Sequence, residues 1–168
     1  TNCIGILKAY TTRVGRGPFP TEALDDNGDK LQSIGNEFGS TTGRKRRCGW
    51  LDLVVARESV KFNGIDEIAL TKLDVLSHFD EILVADEYVD PKTCTMYRDR
   101  IPPMEVFERV KPFYKVFPGW EGKDISGVTK ESDLPDNARR YIEFIEKNLA
   151  PINFISTGAD RESVIVRD

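Results

Sequence analysis

Apolar residues in this chain fall in short runs separated by glycine, proline and acidic turns, with no single period sustained along its length. Residues 4–10, opening Ile4-Gly5-Ile6-Leu7, read as a strand that runs into a Gly/Pro loop from Val14 to Glu22. Asp26-Asn27-Gly28 reads as a turn. Leu51, Val54, Val55 and Phe62 lie at helical spacing, and Asn63-Gly64 provides a stop. Strands are predicted over 65–70 and 82–89, the second closed by Asp90-Pro91. Pro102-Pro103 opens a short helix reaching Val110, and a short strand over 113–117 ends at Pro118-Gly119.

The strongest helical stripe is Ala138, Tyr141, Ile142, Ile145 and Leu149, which predicts a helix over 135–149. Pro135 suits its first turn, and Ser132 and Asp133 are candidate caps. Strands over 152–155 and 164–166 then flank the turn Ser156-Thr157-Gly158-Ala159-Asp160-Arg161. Strands and helices mix irregularly, with no repeat, linker or low-complexity segment, which predicts an α+β fold in a single domain over residues 1–168.

Charge changes the picture at one place. The net charge is −4, yet Arg44-Lys45-Arg46-Arg47 places four cations in a row. They follow Gly39-Ser40-Thr41-Thr42-Gly43 and lead through Cys48-Gly49 into the apolar segment at Trp50. Gly39, Gly43 and Gly49 give the backbone the freedom to fold closely around a ligand. Hydroxyls at Thr41 and Thr42, with the planar forks of Arg44 and Arg46, match carboxylates or phosphates. The segment reads as an anion-binding loop anchored to the core; on composition alone, a solvated basic patch remains the alternative.

Two further places carry candidate chemistry. Thr71-Lys72-Leu73-Asp74 directly follows a predicted strand, where loops often host ligands. An Asp there accepts hydrogen bonds from the N1–H and N2–H edge of guanine, and a Lys stem covers the face of the base. Taken alone, the pair is equally an ordinary surface pair. Ser156-Thr157-Gly158 also follows a strand and offers backbone N–H groups to a purine carbonyl, although by itself it is a turn. Arg13 and Arg16 beside Val14 offer phosphate or ribose contacts, or simply a solvated loop.

The remaining composition excludes more than it selects. Apolar content of 39% and charged content of 31% fit a globular protein. An acidic net charge argues against nucleic acid as a general partner. No long apolar run or signal-peptide pattern is present, so no membrane association is expected. Cys3, Cys48 and Cys94 are scattered and odd in number, which points to a reducing, cytoplasmic location. His78 is the only histidine, so no histidine pair can be built, and it is expected in a loop or on the surface. The chain has no G-x-x-x-x-G-K phosphate loop and opens at Thr1 on a strand, so it is expected to be part of a longer protein.

In joint order the motifs are more specific than any is alone. Val14-Gly15-x-Gly17-Pro18-Phe19-Pro20-Thr21-Glu22 is followed by Gly35-Asn36-Glu37-Phe38-Gly39-x-Thr41-Thr42-Gly43-Arg44-x-Arg46-Arg47-x-Gly49-Trp50-Leu51-Asp52. Then come Leu70-Thr71-Lys72-Leu73-Asp74-Val75-Leu76, Pro118-Gly119-Trp120 and Ile155-Ser156-Thr157-Gly158-x-Asp160-Arg161. This succession resembles the C-terminal portion of the adenylosuccinate synthetases, over nearly the whole chain. Lys45 departs from the family's usual arginine and Ala159 from its usual proline.

The resemblance implies the C-terminal domain of a larger α/β P-loop-type ligase. Such an enzyme joins IMP and L-aspartate, with GTP as co-substrate and Mg2+ as cofactor, through a 6-phosphoryl-IMP intermediate. It implies that Ser40, Thr41, Thr42, Gly43, Arg44, Lys45 and Arg46 form the aspartate loop. Thr41 and Thr42 would hold the carboxylates, Arg44 would meet aspartate and the IMP ribose, and Arg46 would reach GTP. Lys45 is expected to face solvent. Val14 would touch the IMP ribose through its backbone. Lys72, Leu73 and Asp74 would recognise guanine, with Ser156, Thr157 and Gly158 completing the base pocket. Phosphate loop, magnesium ligands and acid–base residues are implied to lie in an N-terminal half, so this chain carries no catalytic or metal residue and is inactive alone. A homodimer is implied for the whole enzyme. The alternative is a non-catalytic guanine-nucleotide-binding module.

Overall fold

The backbone of residues 2–167 is described by a computed structural model. In chain order it forms β1 (Ile4–Lys8), β2 (Thr11–Arg13), α1 (Asp26–Ile34), β3 (Arg47–Gly49), β4 (Leu51–Asp52) and α2 (Leu53–Asn63). Next come β5 (Glu67–Thr71), a 3-10 turn (Asp74–His78), β6 (Glu81–Val89), β7 (Met96–Tyr97), α3 (Met104–Phe107) and β8 (Lys111–Pro118). A second 3-10 turn (Glu131–Asp133), α4 (Asp136–Asn148), β9 (Ile152–Ser156) and β10 (Val164–Val166) complete it. Mixed sheets and helices give the α+β character expected from the irregular succession of elements. The chain divides into two compact units.

The first unit holds residues up to Ala9, Ala56–Ile82 and the chain from Val116 onward. Its sheet has the strand order β1-β5-β9-β10. β5 runs parallel to both β1 and β9, while β10 is antiparallel to β9. Ile68 and Leu70 of β5 are buried, and Glu67, Ala69 and Thr71 are half-buried, the two-residue period of a strand covered on one face. Because β5 and β9 are parallel and Leu70 pairs with Ile155, the segments that leave them, Lys72–Asp74 and Thr157–Gly158, emerge at the same sheet edge. Ligands of parallel sheets bind at this carboxyl edge.

Helix α4 buries Ala138, Tyr141, Ile142 and Ile145 along one stripe, as its sequence period requires. Burying side chains the size of Ile142 and Ile145 stabilises the fold by about 1.5–3 kcal/mol each. Tyr141 donates its hydroxyl to the Ala9 carbonyl at 2.6 Å, and its ring meets that of Phe117 edge-on. Pro135, not Ser132 or Asp133, occupies the N-cap, and no side chain caps this end. Ser132 and Asp133 are instead taken up by the preceding 3-10 turn, and Ser132 donates to Asp133.

The second unit holds Tyr10–Val55 and Leu83–Lys115. Val54, Tyr88, Phe107 and Val110 form its apolar cluster. β2 pairs antiparallel with β3, setting Thr11 opposite Gly49 and Arg13 opposite Arg47. Asp52 stands at the head of α2, where its Oδ1 accepts the Val55 amide at 3.2 Å and its Oδ2 accepts the Tyr88 hydroxyl. Burial and the Asp52 charge raise the Tyr88 phenol, and burial followed by the same charge pushes Tyr114 up to about 12.

Asp26-Asn27-Gly28 is not a turn but the first turn of α1. Asp25 caps the helix, its side chain accepting from the Asn27 and Gly28 amides at 3.1 and 3.3 Å. The glycine serves close packing: a Cβ there would lie 2.0 Å from the Ala23 carbonyl oxygen.

Candidate functional site

The run of hydroxyls and cations is a hairpin. Phe38 bridges to Lys45, the Gly39 amide donates to the Arg44 carbonyl at 2.8 Å, and the Arg46 amide donates to the Glu37 carbonyl at 2.9 Å. At the tip the Gly43 amide returns to the Gly39 carbonyl at 2.8 Å, with Gly43 in the left-handed region at φ 64°. That conformation favours glycine. Ser40, Thr41, Thr42, Gly43, Arg44 and Lys45 are all exposed. Thr42 Oγ1 accepts the Arg44 amide at 3.4 Å, which fixes the hydroxyl within the tip.

The four cations have different fates. Arg46 is half-buried, and its Nη1 donates to Glu37 Oε2 at 2.8 Å. Glu37 is buried, and its other oxygen accepts the Tyr10 hydroxyl at 2.7 Å. Arg47 Nε donates to Glu22 Oε1 at 2.7 Å, and its Nη1 donates to the Gly15 and Gly17 carbonyls at 3.0 and 2.7 Å. Arg44 and Lys45 have no side-chain hydrogen bond or ion pair among the described residues. A surface cavity of about 420 Å³ is lined by Asp25, Asp29, Gln32, Lys45, Arg46 and Arg47, among others. Val14, in the loop after β2, is 71% exposed.

The second set lies in the first unit, at the carboxyl edge of β5 and β9. Lys72 stands immediately after β5 with φ 64°. Leu73 is fully buried. Asp74 begins the first 3-10 turn, and its Oδ1 is buried without a hydrogen-bond partner. Burial is the main cause that raises the Asp74 carboxyl above the ordinary range, and Asp124 adds to it. The Asp74 and Val75 amides and Lys72 act against that rise. A buried carboxylate oxygen lacking a donor is costly, and such groups concentrate where a ligand supplies the missing bond.

On the β9 side, Ser156 Oγ donates to the Gly158 carbonyl at 3.0 Å. Thr157 is buried, donates its hydroxyl to the Val128 carbonyl at 2.8 Å and its amide to the Ser163 carbonyl at 2.9 Å. The Ser156 side chain thus closes the turn on itself, and the Thr157 side chain ties it to the segment at Val128.

The sequence profile of the family described as Adenylosuccinate synthetase matches residues 1–165. The chain belongs to that family. The adenylosuccinate synthetase of Schizosaccharomyces japonicus is 53% identical, over 99% of this chain and 38% of its own length. That of Aspergillus flavus is 54% identical, over 98% of this chain and 39% of its own. The solved structure of fully ligated adenylosuccinate synthetase from Plasmodium falciparum superposes with a TM-score of 0.96 at 43% identity, covering 100% of this chain and 40% of that one. The chain thus spans about two fifths of the length of the synthetases it matches.

Within this synthetase segment, sequence reasoning missed Glu37 and the true role of Arg47. Glu37 sits between Asn36 and Phe38 with no pattern to mark it as buried. Arg47 is indistinguishable in sequence from its three basic neighbours. His78 is exposed, as its expected surface position requires. Among the described residues, no helix is long and apolar enough to cross a membrane, and no three His, Cys, Asp or Glu residues cluster as a metal site.

Proposed function

We propose that a polypeptide carrying this chain together with the rest of the relatives' length condenses IMP with L-aspartate at the expense of GTP. IMP loses its N1 proton as its 6-oxygen takes the γ-phosphoryl group of GTP, the bond from the γ-phosphorus to the bridging oxygen breaks to release GDP, and a poor leaving group becomes a good one. The aspartate amine then attacks C6, and the C6–O bond breaks to release phosphate and leave adenylosuccinate. Arg44 pairs a carboxylate of aspartate and reaches the IMP ribose, and Thr41 and Thr42 donate to the aspartate carboxylates. The Val14 backbone meets the IMP ribose, and Arg46 meets GTP. Asp74 accepts the two donors of the guanine edge, beside Lys72 and the Ser156–Gly158 turn.

The observation that supports this reading most is the buried, unpartnered Oδ1 of Asp74 at the shared carboxyl edge of β5 and β9. Guanine supplies two N–H donors to a carboxylate, whereas adenine does not. The exposed, unpaired Arg44 supports the aspartate half in the same way.

Magnesium, which the family implies, would be held by residues in the part of the relatives' length that lies outside this chain, where it would offset the charge of the transferred phosphoryl group. The chain by itself is inactive, the bond-making residues lying elsewhere in a cytoplasmic homodimer. Product formation from IMP, aspartate and GTP tests the reading. Adenylosuccinate made by the longer polypeptide but not by the 168-residue chain supports it. GTP binding without product points instead to a non-catalytic guanine-nucleotide module.

A further inference from the structure

The loop between β2 and α1 contains no helix or strand from Val14 to Pro18, yet two arginines occupy its carbonyls. Arg13 Nη1 donates to the Pro18 carbonyl at 2.8 Å, and Arg47 Nη1 donates to those of Gly15 and Gly17. The Arg47 guanidinium is locked in turn by Glu22. Nε meets Oε1 at 2.7 Å and Nη2 meets Oε2 at 2.5 Å, in the two-pronged geometry of an arginine–carboxylate pair. Its guanidinium carbon also lies 5.4 Å from the centre of the Phe19 ring. The Glu22 hydrogen bond is the largest influence raising the Arg47 guanidinium.

Glu22 is itself fixed beside β3. It bridges to Gly49, and the Ala23 amide donates to the Cys48 carbonyl at 3.1 Å. A guanidinium has five N–H donors, and these contacts engage Nε and both terminal nitrogens. Its charge is matched by Glu22, so an incoming anion finds no free fork here. Arg47 also directly continues the hairpin that carries Arg44 and Arg46. One side chain therefore ties the Val14 loop to the base of the cationic hairpin.

We propose that Arg47 is a positioning residue that fixes the Val14 loop and the 38–46 hairpin relative to each other, so that the contacts to the IMP ribose and to aspartate are set together. The inference rests on the function proposed above for those two loops. Lysine cannot replace arginine here, because a single ammonium cannot span a carboxylate and two carbonyls in fixed directions.

The test uses the longer polypeptide with Arg47→Met, Arg47→Lys and the milder Glu22→Gln. Steady-state kinetics with each substrate varied is paired with limited trypsin digestion read by fragment mass. Arg47→Met and Arg47→Lys are expected to raise KM for both IMP and aspartate by about tenfold or more while KM for GTP stays within about twofold, because Arg46 keeps its own anchor on Glu37. Cleavage at the Arg16–Gly17 bond should accelerate by on the order of tenfold, because a released loop opens more often. Glu22→Gln should show the same pattern more weakly. Wild-type kinetics in Arg47→Lys would overturn the proposal, as would an equal rise in all three KM values or an unchanged cleavage rate. If the unsubstituted polypeptide makes no adenylosuccinate, the proposed function fails, and the digestion alone still decides whether Arg47 holds the loop.

Discussion

Arg46 and Glu37 form an ion pair at 2.8 Å in which the carboxylate is almost wholly buried and the guanidinium is about one-third exposed. The same carboxylate accepts the buried Tyr10 hydroxyl at 2.7 Å. A cation presented at the mouth of a hairpin is thus held from beneath by a group that water cannot reach. Pre-orientation of this kind lowers the cost of ordering a long side chain when a ligand arrives.

Glu37→Ala removes the buried carboxylate that accepts from the Arg46 guanidinium and the Tyr10 hydroxyl. It should destabilise the protein by about 3–5 kcal/mol, the range for breaking a buried pair from one side. Tyr10→Phe removes one hydrogen bond to the carboxylate and should cost about 1.5–3 kcal/mol. Urea unfolding midpoints compared with the unsubstituted protein check both values.

Gly49→Ala should be among the most disruptive small substitutions in the second unit. The added Cβ would lie 2.0 Å from the Thr21 carbonyl oxygen and 2.7 Å from its carbon, both backbone atoms. That oxygen also accepts the Trp50 amide at 3.0 Å. Overpacking against unyielding neighbours typically costs about 1–3 kcal/mol, and this contact belongs at the upper end. A urea unfolding midpoint unchanged from that of the unsubstituted protein would refute it.

Asp74→Asn should make the ligand-free protein more stable at neutral pH while impairing guanine recognition. The folded carboxyl lies above its unfolded value, so the folded state binds its proton more tightly. Its contribution to stability is present below the ordinary carboxylate range and is lost as pH rises through the raised folded value. Asparagine removes that pH-dependent loss. The amide presents a donor to one of guanine's donors, so GTP should lose about 1.5–3 kcal/mol per hydrogen bond relative to ITP, which lacks the 2-amino group. Thermal unfolding across pH and the GTP/ITP ratio of kcat/KM measure the two effects. A GTP/ITP ratio equal to that of the unsubstituted enzyme would remove Asp74 from base recognition.

Helix α4, β9 and β10 were legible in the sequence because their signals are local: one apolar stripe, and two short runs rich in Ile, Val and Phe. Helix α1 was not, because Asp26-Asn27-Gly28 carries turn residues whose effect is overridden by the Asp25 cap and the packing of Gly28 on Ala23. The pairing of β2 with β3 was hidden too. Thr11-Thr12-Arg13 and Arg47-Cys48-Gly49 show no apolar alternation, and their hydrogen bonds join distant parts of the chain. The cationic segment itself stood out, but the division of labour within it did not. Arg46 is claimed by a carboxylate 9 residues away and Arg47 by one 25 residues away, and no local pattern records either.

Arg44 carries the aspartate half of the proposed function, exposed at the hairpin tip with its fork unpaired among the described residues. The decisive measurement is adenylosuccinate formation by the longer polypeptide and its Arg44→Leu variant, with aspartate varied at saturating IMP and GTP. Leucine keeps bulk and deletes every donor, leaving a substrate carboxylate unpaired at a cost of roughly 2–5 kcal/mol. The predicted result is a fall in kcat/KM for aspartate of on the order of 30-fold to several thousand-fold, with KM for GTP nearly unchanged. Undiminished aspartate use by Arg44→Leu would contradict the assignment of the hairpin as the aspartate site.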